Sequence, residues 1–327
     1  MEDLIANFTQ QLREALEIGE KAKLRQNEKQ ISNIIITGLG GSGIGGTIVT
    51  EITANEIKVP IVVNKDYFLP EFANENTLVI ACSYSGNTEE TLQAFEAAQK
   101  KKCIIVCISS GGKLVELAEK HNLDYIKIPG GMPPRACIGY SLTQLFFVLH
   151  HFGFISGSFK KEIGKSIHLL DNEEEDIRTK AKSIAGALFN NLPIIYAVAG
   201  YEGVAVRFRQ QLNENSKILA WHHVLPEMNH NELVGWTQEN DELAVVIFRN
   251  EDDYERSVKR IEISKEVFQK YTPNIIEIFS KGNSRIERSL YLIHLCDWVS
   301  AEIANLRGID AVEVRVIDYL KGSLAKA

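Results

Sequence analysis

The residues best suited to chemistry stand together in Cys82-Ser83-Tyr84-Ser85-Gly86-Asn87-Thr88-Glu89-Glu90-Thr91, between an apolar strand-like run and a helix-like one. The hydroxyls of Ser83, Ser85 and Thr88, a glycine that permits tight curvature, and the open amides of a helix start form a neutral cage for a phosphate group. The helix dipole supplies the positive end, so no lysine is needed. An earlier loop, Gly38-Leu39-Gly40-Gly41-Ser42-Gly43, also follows a strand-like run and offers Ser42 and the amides around Gly41 to the same crevice. Such residues after a strand also serve as plain turn and cap residues, but two loops this rich in hydroxyls exceed what capping requires.

Gly38, Gly40 and Gly43 also satisfy G-x-G-x-x-G, which raises a dinucleotide site as a rival. The acidic residue such a site needs, Asp66, comes about eight residues beyond the usual spacing of about 20 and follows Lys65. A nicotinamide cofactor is therefore secondary, and the expected cofactor is none. No histidine pair has zinc spacing with a cysteine, and H-E-x-x-H is absent, so no metal is expected either.

These loops need a scaffold, and the apolar pattern supplies one. Strands are expected at Asn33–Thr37, Val59–Val63, Thr77–Cys82, Cys103–Ile108 and Tyr125–Ile128, with helices from about Ile44, at Glu89–Lys101 and at Leu114–His121. Continuously apolar strands alternating with helices predict a parallel sheet covered on both faces, a doubly wound α/β domain. Residues 1–30 read as an amphipathic helix carrying Leu4, Ile5, Phe8, Leu12 and Leu16, then a charged stretch from Lys21 to Lys29. From about Leu142 to Asn190 the pattern is helical, and its acidic run, Glu173 to Asp176, reads as solvated.

The second half repeats the first. Pro193–Ala199 runs into Gly200-Tyr201-Glu202-Gly203 and a helix from Val204 to about Glu214, while Leu243–Phe248 and Asn274–Phe279 echo Thr77–Cys82 and Cys103–Ile108. After Leu243–Phe248 comes Arg249-Asn250-Glu251-Asp252-Asp253, which would repel an anion, so only the first copy should hold the phosphate. The expected domains are 1–155, a helical connection at 156–190, and 191–327. A helix from Ser284 to Leu306 is apolar on more than one face, which fits either core burial or a dimer contact.

Composition bounds these readings. The chain has 327 residues, 45% hydrophobic and 24% charged, enough for two ordinary domains. Its net charge of -7, from 43 acidic against 36 basic residues, gives no footprint for nucleic acid, so an anionic ligand must be held locally. Cys82, Cys103, Cys107, Cys137 and Cys296 imply no disulfide framework. The segment MEDLIANFTQQL lacks a basic lead and an apolar core, and nowhere do about 18 apolar residues run together, so a cytoplasmic protein with no membrane partner is expected.

Beyond the two loops, further segments carry a family resemblance: Pro133-Pro134-Arg135-Ala136 with Gly139-Tyr140-Ser141, then Asn213-Glu214-Asn215-Ser216-Lys217, His230-Asn231-Glu232 and Ile317-Asp318-Tyr319-Leu320-Lys321. In these motifs and in their order, from residue 38 to 321, the chain resembles the sugar isomerase (SIS) domain family and, within it, the bifunctional phosphoglucose/phosphomannose isomerases. The resemblance implies two doubly wound SIS domains of flavodoxin-like, Rossmann-like architecture. It implies a homodimer with active sites shared between subunits. The activity implied is metal-free interconversion of glucose 6-phosphate and mannose 6-phosphate with fructose 6-phosphate. By the same resemblance Ser83, Ser85 and Thr88 bind the phosphate, with Gly41 and Ser42 lining the site. Glu214 is the base, Arg135 stabilises the intermediate, His230 of the neighbouring subunit opens the ring, and Lys321 lies at the edge. At position 314 similar enzymes place a polar residue facing the sugar; here it is Val314, so the resemblance carries glucose handling further than mannose handling.

The reaction suits these residue types. Moving a carbonyl between C1 and C2 needs a base for a weakly acidic C–H proton, and Glu214 ends an apolar helix that would hold it rigidly. A fixed cation helps an enediolate that forms near a phosphate dianion, and two prolines stiffen the backbone before Arg135. A histidine suits ring opening near neutral pH. His150-His151 reads as packing and His121, His168 and His294 as isolated; His222 or His223, one of which should face inward, stays a rival to His230. Two other classes remain: a sugar-phosphate sensor without catalysis, which would need no base, and another SIS enzyme. An amidotransferase half would be expected to carry a glutaminase segment with a leading cysteine.

Overall fold

A computed structural model describes residues 1–324 and 326. Its first sheet contains β1 (Asn33–Thr37), β2 (Ile61–Asn64), β3 (Thr77–Cys82), β4 (Ile104–Ser109) and β5 (Asp124–Lys127), all parallel, in the order β2-β1-β3-β4-β5. Every residue of β1 and β3 is buried, as β-branched and aliphatic strands covered on both faces must be. The helices of this half are α1 (Glu2–Ala6), α2 (Phe8–Lys21), α3 (Gly40–Thr53), α4 (Glu89–Lys100), α5 (Gly112–Lys120), α6 (Ile138–His151) and α7 (Ser158–Leu188).

The second sheet has β6 (Leu192–Val198), β7 (Trp221–Leu225), β8 (Leu243–Arg249) and β9 (Ile275–Phe279), again parallel, in the order β7-β6-β8-β9. Around it run α8 (Glu202–Glu214), α9 (Glu255–Phe268), α10 (Arg285–Arg307) and α11 (Arg315–Leu324). This is the order of the first four strands over again, so the repeat read from the sequence is a repeat of topology, without a counterpart of β5. In both sheets the winding reverses between the first and third strand of the copy, the place where open α/β sheets leave a crevice at the carboxyl ends.

The chain divides into two compact units, one of Ala6–Asn172 with Gly282–Tyr291, the other of Met1–Ile5, Glu173–Lys281 and Leu292–Ala327. The stretch expected as a helical connection is the single helix α7, and its residues fall to both units. No helix among the described residues is long and apolar enough to cross a membrane.

Four expectations need correction. The single amino-terminal helix read over residues 1–30 is two, α1 and α2, broken at Asn7, and the second ends at Lys21; beyond it Arg25 bonds Asp124 of β5 through its backbone N–H at 2.9 Å and its Nε at 2.7 Å. Helix α3 starts at Gly40, inside the glycine loop, and not near Ile44. The acidic run lies in the middle of α7 and is not merely solvated: Lys281 pairs with Glu173 and Asp176, and Glu174 bonds His294 at 2.7 Å. His294 is therefore not isolated; it is buried and packs edge-on against the Trp298 ring.

Candidate active site

At the carboxyl end of β1 the chain turns at once into α3. Leu39 is the extended residue before the helix, with φ -118° and ψ 156°, and its carbonyl accepts from the N–H groups of Ser42 at 3.1 Å and Gly43 at 3.2 Å. The amides of Gly40 and Gly41 come too early in the helix to find a partner within it. The buried Ser42 hydroxyl accepts the Tyr84 N–H at 3.0 Å, which joins this loop to the one after β3.

In that second loop Thr88 has the extended backbone of a helix cap, yet its side chain makes no capping bond to α4. Its Oγ1 lies 2.9 Å from Ser83 Oγ, so the two hydroxyls face each other across the turn. Ser85 is exposed at the tip and its hydroxyl accepts the Asn87 N–H at 3.2 Å. Gly86 has φ +69°, and a Cβ there would stand 1.8 Å from the Gly111 carbonyl oxygen, so both conformation and space require glycine.

That contact exposes a wall the sequence reading did not anticipate. Ser110-Gly111-Gly112, after β4, braces the serine loop: Ser110 N–H and Oγ both donate to the Tyr84 carbonyl, at 3.0 and 2.6 Å, and Leu114 N–H donates to Gly86 O at 2.9 Å. The available signal was a third strand, glycine turn and helix in succession.

Arg135 sits in a short 3₁₀ turn, Pro134–Ala136, and is 4% exposed. A Cβ on Gly41 would lie 2.9 Å from Pro134 O and 3.2 Å from Arg135 N, so the glycine loop and the arginine turn touch backbone to backbone. From α2, Gln11 donates its amide to the Ala136 carbonyl at 2.8 Å. Gly41, Ser42, Ser83, Ser85, Thr88 and Arg135 thus belong to one compact unit, with a shared hydrogen-bonded frame. Burial pushes the Tyr84 phenol and the Cys82 thiol well up, and the Cys107 thiol up to about 12, so none of them ionises near neutral pH.

Glu214, His230 and Lys321 belong to the other unit. Glu214 is the last residue of α8 and is half-buried. Helix α8 is held to α10 by polar bonds: Arg207 Nη2 to Asp297 Oδ2 at 2.5 Å, and Gln211 Nε2 to Asp297 Oδ1 at 2.9 Å. Just beyond the helix, Asn215 Nδ2 reaches Ser300 Oγ at 3.0 Å and Ser216 Oγ reaches Ser300 O at 2.7 Å. Lys217 then donates its ammonium to the Glu214 carbonyl. The apolar anchor expected for this helix is present, with Val204, Ala205, Phe208 and Leu212 buried, and the polar ladder adds to it.

His230 is exposed at the end of the short turn Glu227–His230, and Lys321 is exposed on α11. Both imidazoles of the rival pair are half-buried. His222 Nε2 is 3.7 Å from Glu202, and burial, aided by Arg209, lowers its pKa so that it is neutral at pH 7. His223 Nδ1 accepts the N–H of its own neighbour Val224 at 2.8 Å.

The corresponding crevice of the second sheet is occupied by its own side chains. Tyr201 donates its hydroxyl to Asp252 at 3.1 Å, and Asp253 accepts from Asn250 N at 2.9 Å and Asn250 Nδ2 at 3.1 Å. Burial raises the Asp253 carboxyl above its usual range. Two open cavities, about 430 and 350 Å³, lie in this unit beside Leu192 and beside Ile194, Trp221 and Leu243. Those residues lie at or near the starts of strands, the opposite end of a parallel sheet from its ligand crevice. Among the described residues no three His, Cys, Asp or Glu side chains are grouped to hold a metal ion.

Residues 177–324 match the family described as the bacterial phospho-glucose isomerase C-terminal SIS domain. The chain is 38% identical to the bifunctional phosphoglucose/phosphomannose isomerase of Caldicellulosiruptor bescii, with 100% of this chain and 99% of that protein covered. It is 36% identical to the protein of the same description from Aquifex aeolicus, with 90% of each covered. Among solved structures, the C-terminal domain of glucosamine-fructose-6-phosphate aminotransferase from Francisella tularensis matches with a TM-score of 0.76 over 95% of this chain and 98% of that one; at 16% identity this shows a common fold.

Proposed function

Because the chain belongs to the family of bifunctional phosphoglucose/phosphomannose isomerases, we propose that its two copies divide one reaction, the first binding the phosphate and the second supplying the base. The enzyme is an aldose–ketose isomerase that interconverts glucose 6-phosphate and mannose 6-phosphate with fructose 6-phosphate. The observation that carries the division is the convergence of the glycine loop, the serine loop and the arginine turn in one hydrogen-bonded frame at the carboxyl ends of β1 and β3.

In this reading the phosphate rests on the hydroxyls of Ser83, Ser85 and Thr88, with Ser42 and the Gly41 amide beside it. His230, from the neighbouring subunit of a homodimer, moves a proton between the ring oxygen and the C1 hydroxyl. The Glu214 carboxylate then takes the proton from C2 of the open aldose, the electron pair forms a cis-enediolate with its charge on O1, the proton of the C2 hydroxyl passes to O1, and the same carboxyl returns its proton to C1 as the carbonyl forms at C2. Arg135 balances the charge that grows on the enediolate oxygens. Lys321 stands at the edge of the sugar. No metal or cofactor takes part.

The exposed apolar side chains Val316, Tyr319 and Leu320 on α11 support a dimer that covers them. The five cysteines are buried thiols, none in a disulfide, which supports a cytoplasmic location.

The test is to incubate the purified protein with fructose 6-phosphate in chelator and follow both aldose phosphates. Formation of both is expected. Turnover of neither overturns the reading, and loss of turnover in chelator that returns with a divalent cation overturns its metal-free step.

A further inference from the structure

The serine loop and the arginine turn meet in a single residue, Tyr84. Its main chain belongs to the phosphate cradle: the N–H donates to Ser42 Oγ at 3.0 Å and the carbonyl accepts twice from Ser110. Its side chain belongs to the arginine turn. The phenol oxygen accepts the Met132 N–H at 3.1 Å, just before Pro133-Pro134-Arg135, and the Cys137 thiol lies just after Ala136. That thiol in turn donates to the Pro133 carbonyl at 3.3 Å. One phenol therefore holds the turn at its start, and the thiol closes it from within. Tyr84 is 8% exposed, so these bonds form away from competing water.

The prolines restrict the turn's own backbone but leave its position open, since neither has an N–H with which to anchor it. The anchors come from outside: Tyr84 at the Met132 N–H, Gln11 at the Ala136 carbonyl, and the close approach of Gly41. Of these, Tyr84 lies in the serine loop and Gly41 in the glycine loop, and of the two Tyr84 reaches the turn through a side chain. Binding energy from a non-reacting part of a substrate raises the rate when it is passed to the reacting centre.

We infer that Tyr84 is a positioning residue for the isomerisation, a strut through which the phosphate-bound loop sets Arg135 against the sugar. The inference rests on the roles proposed above for the cradle and for Arg135. It makes the serine loop more than an anchor, because the residue between its two serines governs a cation that acts at C1 and C2.

Tyr84→Phe tests this, since it keeps the ring and all main-chain bonds and removes only the phenol oxygen. The expected result is a fall in kcat of about tenfold with KM for fructose 6-phosphate within about twofold, and a melting temperature close to wild type. The loss should disappear in an Arg135→Lys background, as it must for two groups acting in series. Unchanged kcat, a rise in KM alone, or a loss that multiplies with that of Arg135→Lys would overturn the strut. If Tyr84→Phe does not fold, Met132→Pro removes the N–H that the phenol accepts, and a kcat loss with the same non-additivity is then expected; its absence counts against the strut. Full activity in Arg135→Lys alone would instead overturn the proposed role of Arg135, a separate failure.

Discussion

Strands β3 and β8 hold the same place in two copies of one topology, yet the first is followed by Ser83 to Thr88 and the second by Asn250 to Asp253. The buried strands are nearly interchangeable; the turns after them are not. In the first copy a threonine at the cap position gives up its capping bond to face Ser83, leaving a neutral pair of hydroxyls beside a helix start. In the second, a tyrosine and an asparagine occupy the acidic side chains that fill the turn. A duplicated scaffold keeps its core and changes purpose through a few residues at strand ends, because those residues contribute little to folding and much to the crevice.

The contrast can be tested by attacking each copy in turn. Glu214→Gln, in the second copy, should lower kcat by about 10²–10⁴-fold while isothermal titration still finds the sugar phosphate bound; normal turnover would remove Glu214 from the chemistry. Ser85→Asp, in the first copy, should raise KM by at least about tenfold through repulsion of the phosphate. Asp252→Ser in the second copy should leave both constants alone, and if it altered KM as strongly as Ser85→Asp, the assignment of the anion to one copy would fail.

The smallest effect concerns pH. Burial raises the Asp253 carboxyl in the folded protein above its unfolded value near 3.9. The folded state then holds the proton more tightly than the unfolded state does. Its contribution to stability is fully present below that unfolded value and is lost as pH rises through the folded one. Asp253→Asn does not titrate, so thermal melts should show it gaining on the wild type as pH rises from about 4. A gain on the acid side instead would contradict the burial of this group.

Much of this was legible in the chain, for identifiable reasons. Strands β1 and β3 matched their expected limits because turn residues bound both ends of each apolar run. The start of α3 was hidden because glycines are poor helix formers, and only the backbone geometry of Leu39 shows that the helix begins among them. The bracing of the serine loop by Ser110 to Gly112, and of the arginine turn by Gln11, joins residues far apart in sequence through single hydrogen bonds, which no periodicity records. The acidic run of α7 looked like a solvated face because its partners, Lys281 and His294, lie more than a hundred residues away.

The way the chain is divided also constrains its synthesis. Each compact unit takes residues from beyond position 281, Gly282–Tyr291 for one and Leu292 onward for the other. A ribosome that has finished the first sheet has therefore not finished either unit, and a nascent chain would have to wait with apolar surface uncovered until the segment carrying α10 emerges. Cutting the gene near residue 155 should accordingly yield two fragments that are each incomplete, and the enzyme is better treated as one folding job than as two joined modules.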